Sequence, residues 1–141
     1  MSDESLHRIL ELPDRTGVLT TIKRDGRPQM SVVRHHYDPA TRTLSVSVTD
    51  DRAKTRNLRR DPRASYLVAG NSQWEYVVAE GTARVGEVAI DPHDAAADEL
   101  VELYRQLSGE HPDWEEYRAA MIEQRRLVLR IVVDRVYGMA P

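Results

Sequence analysis

Thr43-Leu44-Ser45-Val46-Ser47-Val48-Thr49 alternates apolar and hydroxyl side chains, and after Asp50 the chain continues Asp51-Arg52-Ala53-Lys54-Thr55-Arg56-Asn57-Leu58-Arg59-Arg60-Asp61-Pro62-Arg63. Period-two alternation reads as a half-buried strand, and the segment after it as a helix that Asp61-Pro62 stops. Six of the twenty Lys and Arg residues fall between Arg52 and Arg63, although the chain carries a formal charge of −3. A cationic helix therefore opens where a sheet ends. Its N-terminus offers unpaired N–H groups and a partial positive charge. Arg52 and Lys54 in the first turn turn that end into a seat for a phosphate. The expectation is a phosphorylated ligand bound beside a β-sheet.

The flanking sequence supplies the rest of the sheet. Gly17-Val18-Leu19-Thr20-Thr21-Ile22-Lys23 is β-branched, and Asp25-Gly26 is a hairpin signal. A second strand over 29–37 ends at Asp38-Pro39, and a short loop returns the chain to Thr43–Thr49. These three strands form an antiparallel meander. Residues 64–69 make another strand, and 74–88 a long one in which Gly81 marks a bulge or bend. The apolar run 127–136 suits a last, buried strand. Helices are expected at 3–12, with Ser2 or Asp3 as cap, at 95–107 with Leu100, Leu103, Tyr104 and Leu107 on one face, and at 113–124 with Trp114, Tyr117 and Met121 inward. On the basic helix only Leu58 is strongly apolar, with Ala53 a second contact. The order fits one α+β domain over 1–141, mainly β, with a six-stranded antiparallel sheet closed into a barrel.

Composition narrows the function. The chain has 141 residues, 40% apolar and 30% charged, and contains no cysteine. That excludes a disulfide framework, a thiolate metal site and a cysteine nucleophile. No apolar run is long enough to cross a bilayer and no signal-peptide pattern opens the chain, so a cytoplasmic protein is expected. Nine Asp and Glu residues lie between Asp91 and Glu116 against the single Arg105, which argues against a broad nucleic-acid-binding surface. His35-His36 does not read as a metal site, because neighbours on a strand face opposite ways, and no metal is expected. No Gly-x-Ser-x-Gly elbow, GxGxxG or GxxxxGK[ST] loop occurs. Any phosphate must then be held by side chains and helix-end amides.

Several segments together resemble the split β-barrel flavin and deazaflavin oxidoreductases, the pyridoxamine 5′-phosphate oxidase-like superfamily. They are 17–23, Asp25-Gly26-Arg27-Pro28-Gln29, Arg52-Ala53-Lys54-Thr55-Arg56-Asn57-Leu58-Arg59-Arg60-Asp61-Pro62-Arg63-Ala64, the stretch 74–83, Gly109-Glu110-His111 and Trp114. Within it the chain is most similar to the actinobacterial branch that uses coenzyme F420, a deazaflavin with a phosphate and a polyglutamate tail. The resemblance implies a six-stranded FMN-binding-type split barrel with flanking helices. It further implies a homodimer with cofactor sites at the interface, and a reductase passing hydride to a small-molecule electron acceptor. By the same resemblance, Arg52, Ala53, Lys54 and Asn57 hold the phosphate and adjoining groups, with Ser47 beside them and Gln29 near the ring. Trp74, Arg125 and Arg126 come from the other subunit. A polyanionic tail accounts for Arg56, Arg59 and Arg60, with Arg125 and Arg126. Two alternatives are an FMN-dependent oxidoreductase of the same fold and a non-catalytic F420 carrier or sensor. No catalytic acid or base is assigned.

Overall fold

A computed structural model describes residues 3–141. Strands β1 (Thr16–Ile22) and β2 (Pro28–Arg34) pair in a hairpin from Thr16↔Arg34 to Ile22↔Pro28. Gly26 supplies the positive φ of its turn, at +87°. The chain then makes β3 (His36–Asp38) and β4 (Thr43–Thr49), a second hairpin. Helix α2 (Ala53–Arg60) leads into β5 (Arg63–Ala69) and β6 (Tyr76–Val85), and after α3 (Ala95–Ser108) and α4 (Trp114–Glu123) comes β7 (Arg126–Met139). Helix α1 (Asp3–Leu10) precedes them all; Ser2, one of its two expected caps, lies outside the described residues. All strand pairs are antiparallel, in the order β2-β1-β5-β6-β7-β4-β3.

Seven strands replace the expected six, and the difference lies at one residue. The anticipated strand 29–37 breaks at His35: the part before it pairs with β1, the part after it with β4. Those are the two margins of the sheet, so one continuous stretch of chain serves both and curls the sheet into a split barrel. The expected meander survives with its middle strand divided. In β6 the register shifts between Glu80 and Gly81, so the anticipated bulge is present.

His35 is buried at the break. Its Nε2 lies 2.8 Å from the Leu10 carbonyl and its Nδ1 2.6 Å from the Tyr66 hydroxyl. A carbonyl only accepts, so Nε2 carries the proton and Nδ1 accepts from Tyr66. The Tyr66 ring occupies the space where a side chain at Gly17 would start, 2.3 Å from the position of a Cβ. A parallel pair ties α1 to β3, with His7 Nδ1 2.6 Å from the Tyr37 hydroxyl. Burial lowers the pKa of both imidazoles from 6.5. For His35 the Leu10 carbonyl opposes this and His36 adds to it. For His7, Arg42 adds to it while Asp3 and Glu11 oppose it. The unfolded chain therefore binds more protons than the folded one below the ordinary imidazole pKa. Stability should be flat above pH 6.5 and fall as pH drops below it. Urea midpoints measured on both sides of that value check this, and an unchanged midpoint would mean that the two rings titrate normally.

One apolar cluster fills the barrel and the underside of α1, including Leu10, Leu19, Leu44, Tyr66, Leu129 and Ile131. A second packs α3 and α4 on the outside of β7 through Leu100, Leu103, Met121 and Val128. Asp94 and Asp113 cap these helices by accepting from Ala97 N at 2.8 Å and Glu116 N at 3.2 Å. Helix α2 departs from expectation. Leu58 is buried as anticipated, but Ala53 is exposed, and the other inward residues are Thr55 and Asn57. Both are polar and both are satisfied: Thr55 Oγ1 donates to the Thr49 carbonyl at 2.8 Å, and Asn57 bonds across to β1.

Candidate functional site

The divided strand leaves a seam. Residues Ser31, Val32 and Val33 of β2 face Ser47, Val48 and Thr49 of β4 across a cleft of about 460 Å³. Beyond Ser45, β4 pairs only with β7. Arg34 lines the cleft and holds the C-terminus of α3, donating to Ser108 Oγ at 2.9 Å and to the Leu107 carbonyl at 2.5 Å.

Three further cations border the cleft. Arg52 is the N-cap residue of α2 and makes no side-chain cap bond, leaving the first helical amides open. Lys54 follows one residue into the helix, and Arg126, expected from the other subunit, instead arrives from β7 of this same chain because Thr49 pairs with it in register. All three line the cleft. Arg126 also donates to Ser47 Oγ at 3.3 Å and to Gln124 Oε1 at 2.7 Å. Among the described residues no carboxylate lies within ion-pair distance of Arg52, Lys54 or Arg126. Burial, with Arg52 and Arg126 nearby, pulls the Lys54 ammonium below its ordinary pKa. Like charges gathered without a counter-ion are stabilised when an anion joins them.

The other expected site residues are placed differently. Asn57 is buried, with Nδ2 donating to Thr21 Oγ1 at 3.1 Å and Oδ1 accepting from Arg60, so it does not line the cleft beside Lys54. Gln29 shares the inward face of β2 with Ser31, two residues along, and accepts from Thr21 Oγ1 at 2.8 Å. Ala53, at the first turn, has no bulk to block the helix amides. Arg125 is drawn away to Asp50 at 2.9 Å, and Arg59 reaches the same carboxylate at 2.7 Å. The Arg59 hydrogen bond leads the causes that hold Asp50 below the usual carboxylate range. Arg60 bonds Asn57 and the Ile22 carbonyl. Of the arginines that looked surplus in the sequence, exposed Arg56 and cleft-lining Arg126 have no carboxylate partner among the described residues. Trp74 is 74% exposed on the β5–β6 connection and is not part of the cleft of this chain.

The sequence reading did not single out two features. Ser31 Oγ is the only buried side-chain N or O atom without a hydrogen-bond partner among the described residues, and Ser31 lines the cleft. No local pattern marks it, since a serine in a strand is ordinary. A recess of about 250 Å³ also opens between α3, α4 and the sheet. Its walls include Leu103, Tyr104, Tyr117 and Met121, and it shares Ser47, Arg34 and Arg126 with the cleft. Among the described residues no group of three or more His, Asp or Glu is placed to hold a metal, and no helix is long and apolar enough to cross a membrane.

A curled antiparallel sheet, split at one strand, is the split-barrel architecture. The sequence profile of pyridoxamine 5′-phosphate oxidase matches residues 3–140, and the chain belongs to that family. Solved structures share the fold. An F420 reductase is 22% identical with a TM-score of 0.71, covering 98% of this chain and 100% of that one. A conserved hypothetical protein from Mycobacterium tuberculosis is 24% identical with a TM-score of 0.72, covering 99% and 85%. A FAD-binding protein from Mesorhizobium loti is 20% identical with a TM-score of 0.64, covering 96% and 92%.

Proposed function

We propose that this chain is an F420-dependent reductase that passes hydride from the reduced deazaflavin to an organic acceptor. The observation that carries the reading is the uncompensated cation cluster of Arg52, Lys54 and Arg126 at the head of the seam. Its chemistry fits a phosphorylated coenzyme. The open amides of α2 and the Ser47 hydroxyl add neutral donors, and the unpartnered Ser31 hydroxyl is a further polar group along the same cleft. When bound, the coenzyme supplies the hydride chemistry itself. Arg52, Lys54 and Arg126 would hold its phosphate, and the residues of β2 that line the cleft would border the ring and shield it from water. The aromatic recess beside Arg126 is the place for the acceptor, an apolar molecule with a polar or anionic edge.

Exposed Arg56, with Arg126, supports a polyanionic tail, although Arg59, Arg60 and Arg125 are engaged within the chain. FMN is the competing coenzyme, since one phosphate would satisfy the same cluster.

The same reading includes a homodimer. Val32, Val18, Leu67, Val78 and Tyr137 are successive cross-strand neighbours on the outer face of the sheet. Val32 and Tyr137 are 70% and 51% exposed. Val32 also lines the cleft, so a second copy on this face would complete the open wall of the site. Beside the row lies the cross-strand pair Glu80 and Arg135, one charge of each sign, which a two-fold-related copy can meet in the opposite sense.

Titration of the apo-protein with F420 and with FMN, followed by hydride transfer to quinones, enones and tetrapyrroles, tests the reading. Tighter F420 binding with turnover, on a particle sedimenting as two chains, is the expected result. Preference for FMN would overturn the coenzyme assignment, and binding without turnover on every acceptor would leave a carrier.

A further inference from the structure

A chain of hydrogen bonds runs under α2 from a guanidinium to Gln29, two residues along β2 from the cleft-lining Ser31, and its direction is fixed by chemistry. Arg60 can only donate, and both its terminal nitrogens lie 3.3 Å from Asn57 Oδ1. The oxygen of Asn57 therefore faces Arg60, and its amide nitrogen faces Thr21. Asn57 Nδ2 donates to Thr21 Oγ1 at 3.1 Å, so the Thr21 hydroxyl is free to give its own proton onward. It gives it to Gln29 Oε1 at 2.8 Å. With its oxygen engaged, Gln29 turns its amide nitrogen outward, where its only partner among the described residues is the Met30 carbonyl at 3.5 Å. A bond that long is weak.

We infer that Arg60, Asn57 and Thr21 form a polarity relay that locks Gln29 as a hydrogen-bond donor at the end of the seam, selecting a ligand that presents a carbonyl oxygen there. Thr21 is fully buried and Asn57 nearly so, so neither amide nor hydroxyl can turn to water instead. Arg60 is itself anchored on the Ile22 carbonyl of β1, which holds the source end still. Gln29 stands two residues from Ser31 on one face of β2, about 7 Å along the strand. A heterocycle seated in the cleft with its phosphate at Lys54 would bring its polar edge within reach. The inference rests on the coenzyme reading above. It assigns Asn57 a positioning role through Thr21 and Gln29, in place of direct contact with the ligand.

Asn57→Asp tests it without removing bulk. An aspartate keeps Arg60 but cannot donate to Thr21, so the hydroxyl reverses toward residue 57 and Gln29 must present its oxygen to the cleft. Thr21→Val cuts the relay, and Thr21→Ser preserves it. Each variant and the wild type would be titrated with F420 and with FMN, recording affinity, the visible spectrum of the bound coenzyme and the melting temperature. The expected result for Asn57→Asp and Thr21→Val is about a five- to thirtyfold loss of affinity, the worth of one hydrogen bond to a polarised acceptor. It should come with a shifted ring absorption, while Thr21→Ser keeps the affinity and spectrum of the wild type. A merely structural role would move melting temperature without moving the spectrum. If Asn57→Asp does not fold, the Thr21 pair decides. Wild-type binding matched by Thr21→Val in affinity and spectrum overturns the relay alone. A wild type that binds neither coenzyme overturns the coenzyme reading and the relay's ligand role with it.

Discussion

Lys54→Ala should weaken F420 binding ten- to a hundredfold, about 1.5–3 kcal/mol, the worth of one well-placed charged contact to a phosphate. The size follows from where the ammonium sits. Lys54 is half-buried in the cleft with Arg52 and Arg126 as neighbours, and no carboxylate among the described residues neutralises it. Its charge is therefore available to a ligand, not spent on an internal pair. The same crowding gives the variant a second signature. Removing one of three mutually repelling cations costs the unliganded protein little, so its melting temperature should hold or rise. Fluorescence titration at fixed ionic strength measures the first effect, and it must be fixed because phosphate contacts are screened by salt. Unchanged affinity would remove Lys54 from the site.

Gly81→Val should be the more damaging change to the fold. A Cβ at that position would lie 2.2 Å from the Val132 carbonyl oxygen and 2.9 Å from Ile131 Cγ2. The nearer atom is backbone in the middle of β7, so no side-chain rotation relieves the overlap. The residue also sits at the register shift between β6 and β7, where the two strands must approach closely. Overpacking against a fixed ladder costs about 3 kcal/mol. For a chain of this length that is roughly a 10 °C fall in melting temperature. A loss below about 1 kcal/mol in urea unfolding would mean that β7 yields there, and that the bulge is not constrained by the glycine.

The contrast between these two positions shows what a linear sequence reveals here. Gly81 interrupts a β-branched run, a local signal, and the bulge it marks is present. The hairpin at Asp25-Gly26, the apolar faces of α3 and α4 and the stop at Asp61-Pro62 were legible for the same reason. The break at His35 was not. Burial goes on alternating through residues 31–38, and only the pairing of the two halves with opposite margins divides the strand. That pairing is a property of the closed sheet.

In the site, Arg52 and Lys54 were legible because a helix start next to a strand end is a local motif. Arg126 came only through resemblance, since the register of β4 on β7 brings it in from far along the chain. Asn57 shares a helical face with Lys54 by count, yet burial against Thr21 commits it elsewhere. Counting arginines overstated the free positive charge, because Asp50 absorbs both Arg59 and Arg125. Acid residues placed to cancel such charge cannot be matched to their partners from spacing alone.

Because a single residue, His35, separates the stretches that form the two margins of the sheet, the distance between those margins is set by chain connectivity. The imidazole is pinned on both nitrogens, so that join has no slack. The spacing of β2 and β4 across the slot is therefore tied to the backbone itself. Inserting one residue beside His35 would turn β3 over, eject Tyr37 from the interior and change that spacing in a single stroke.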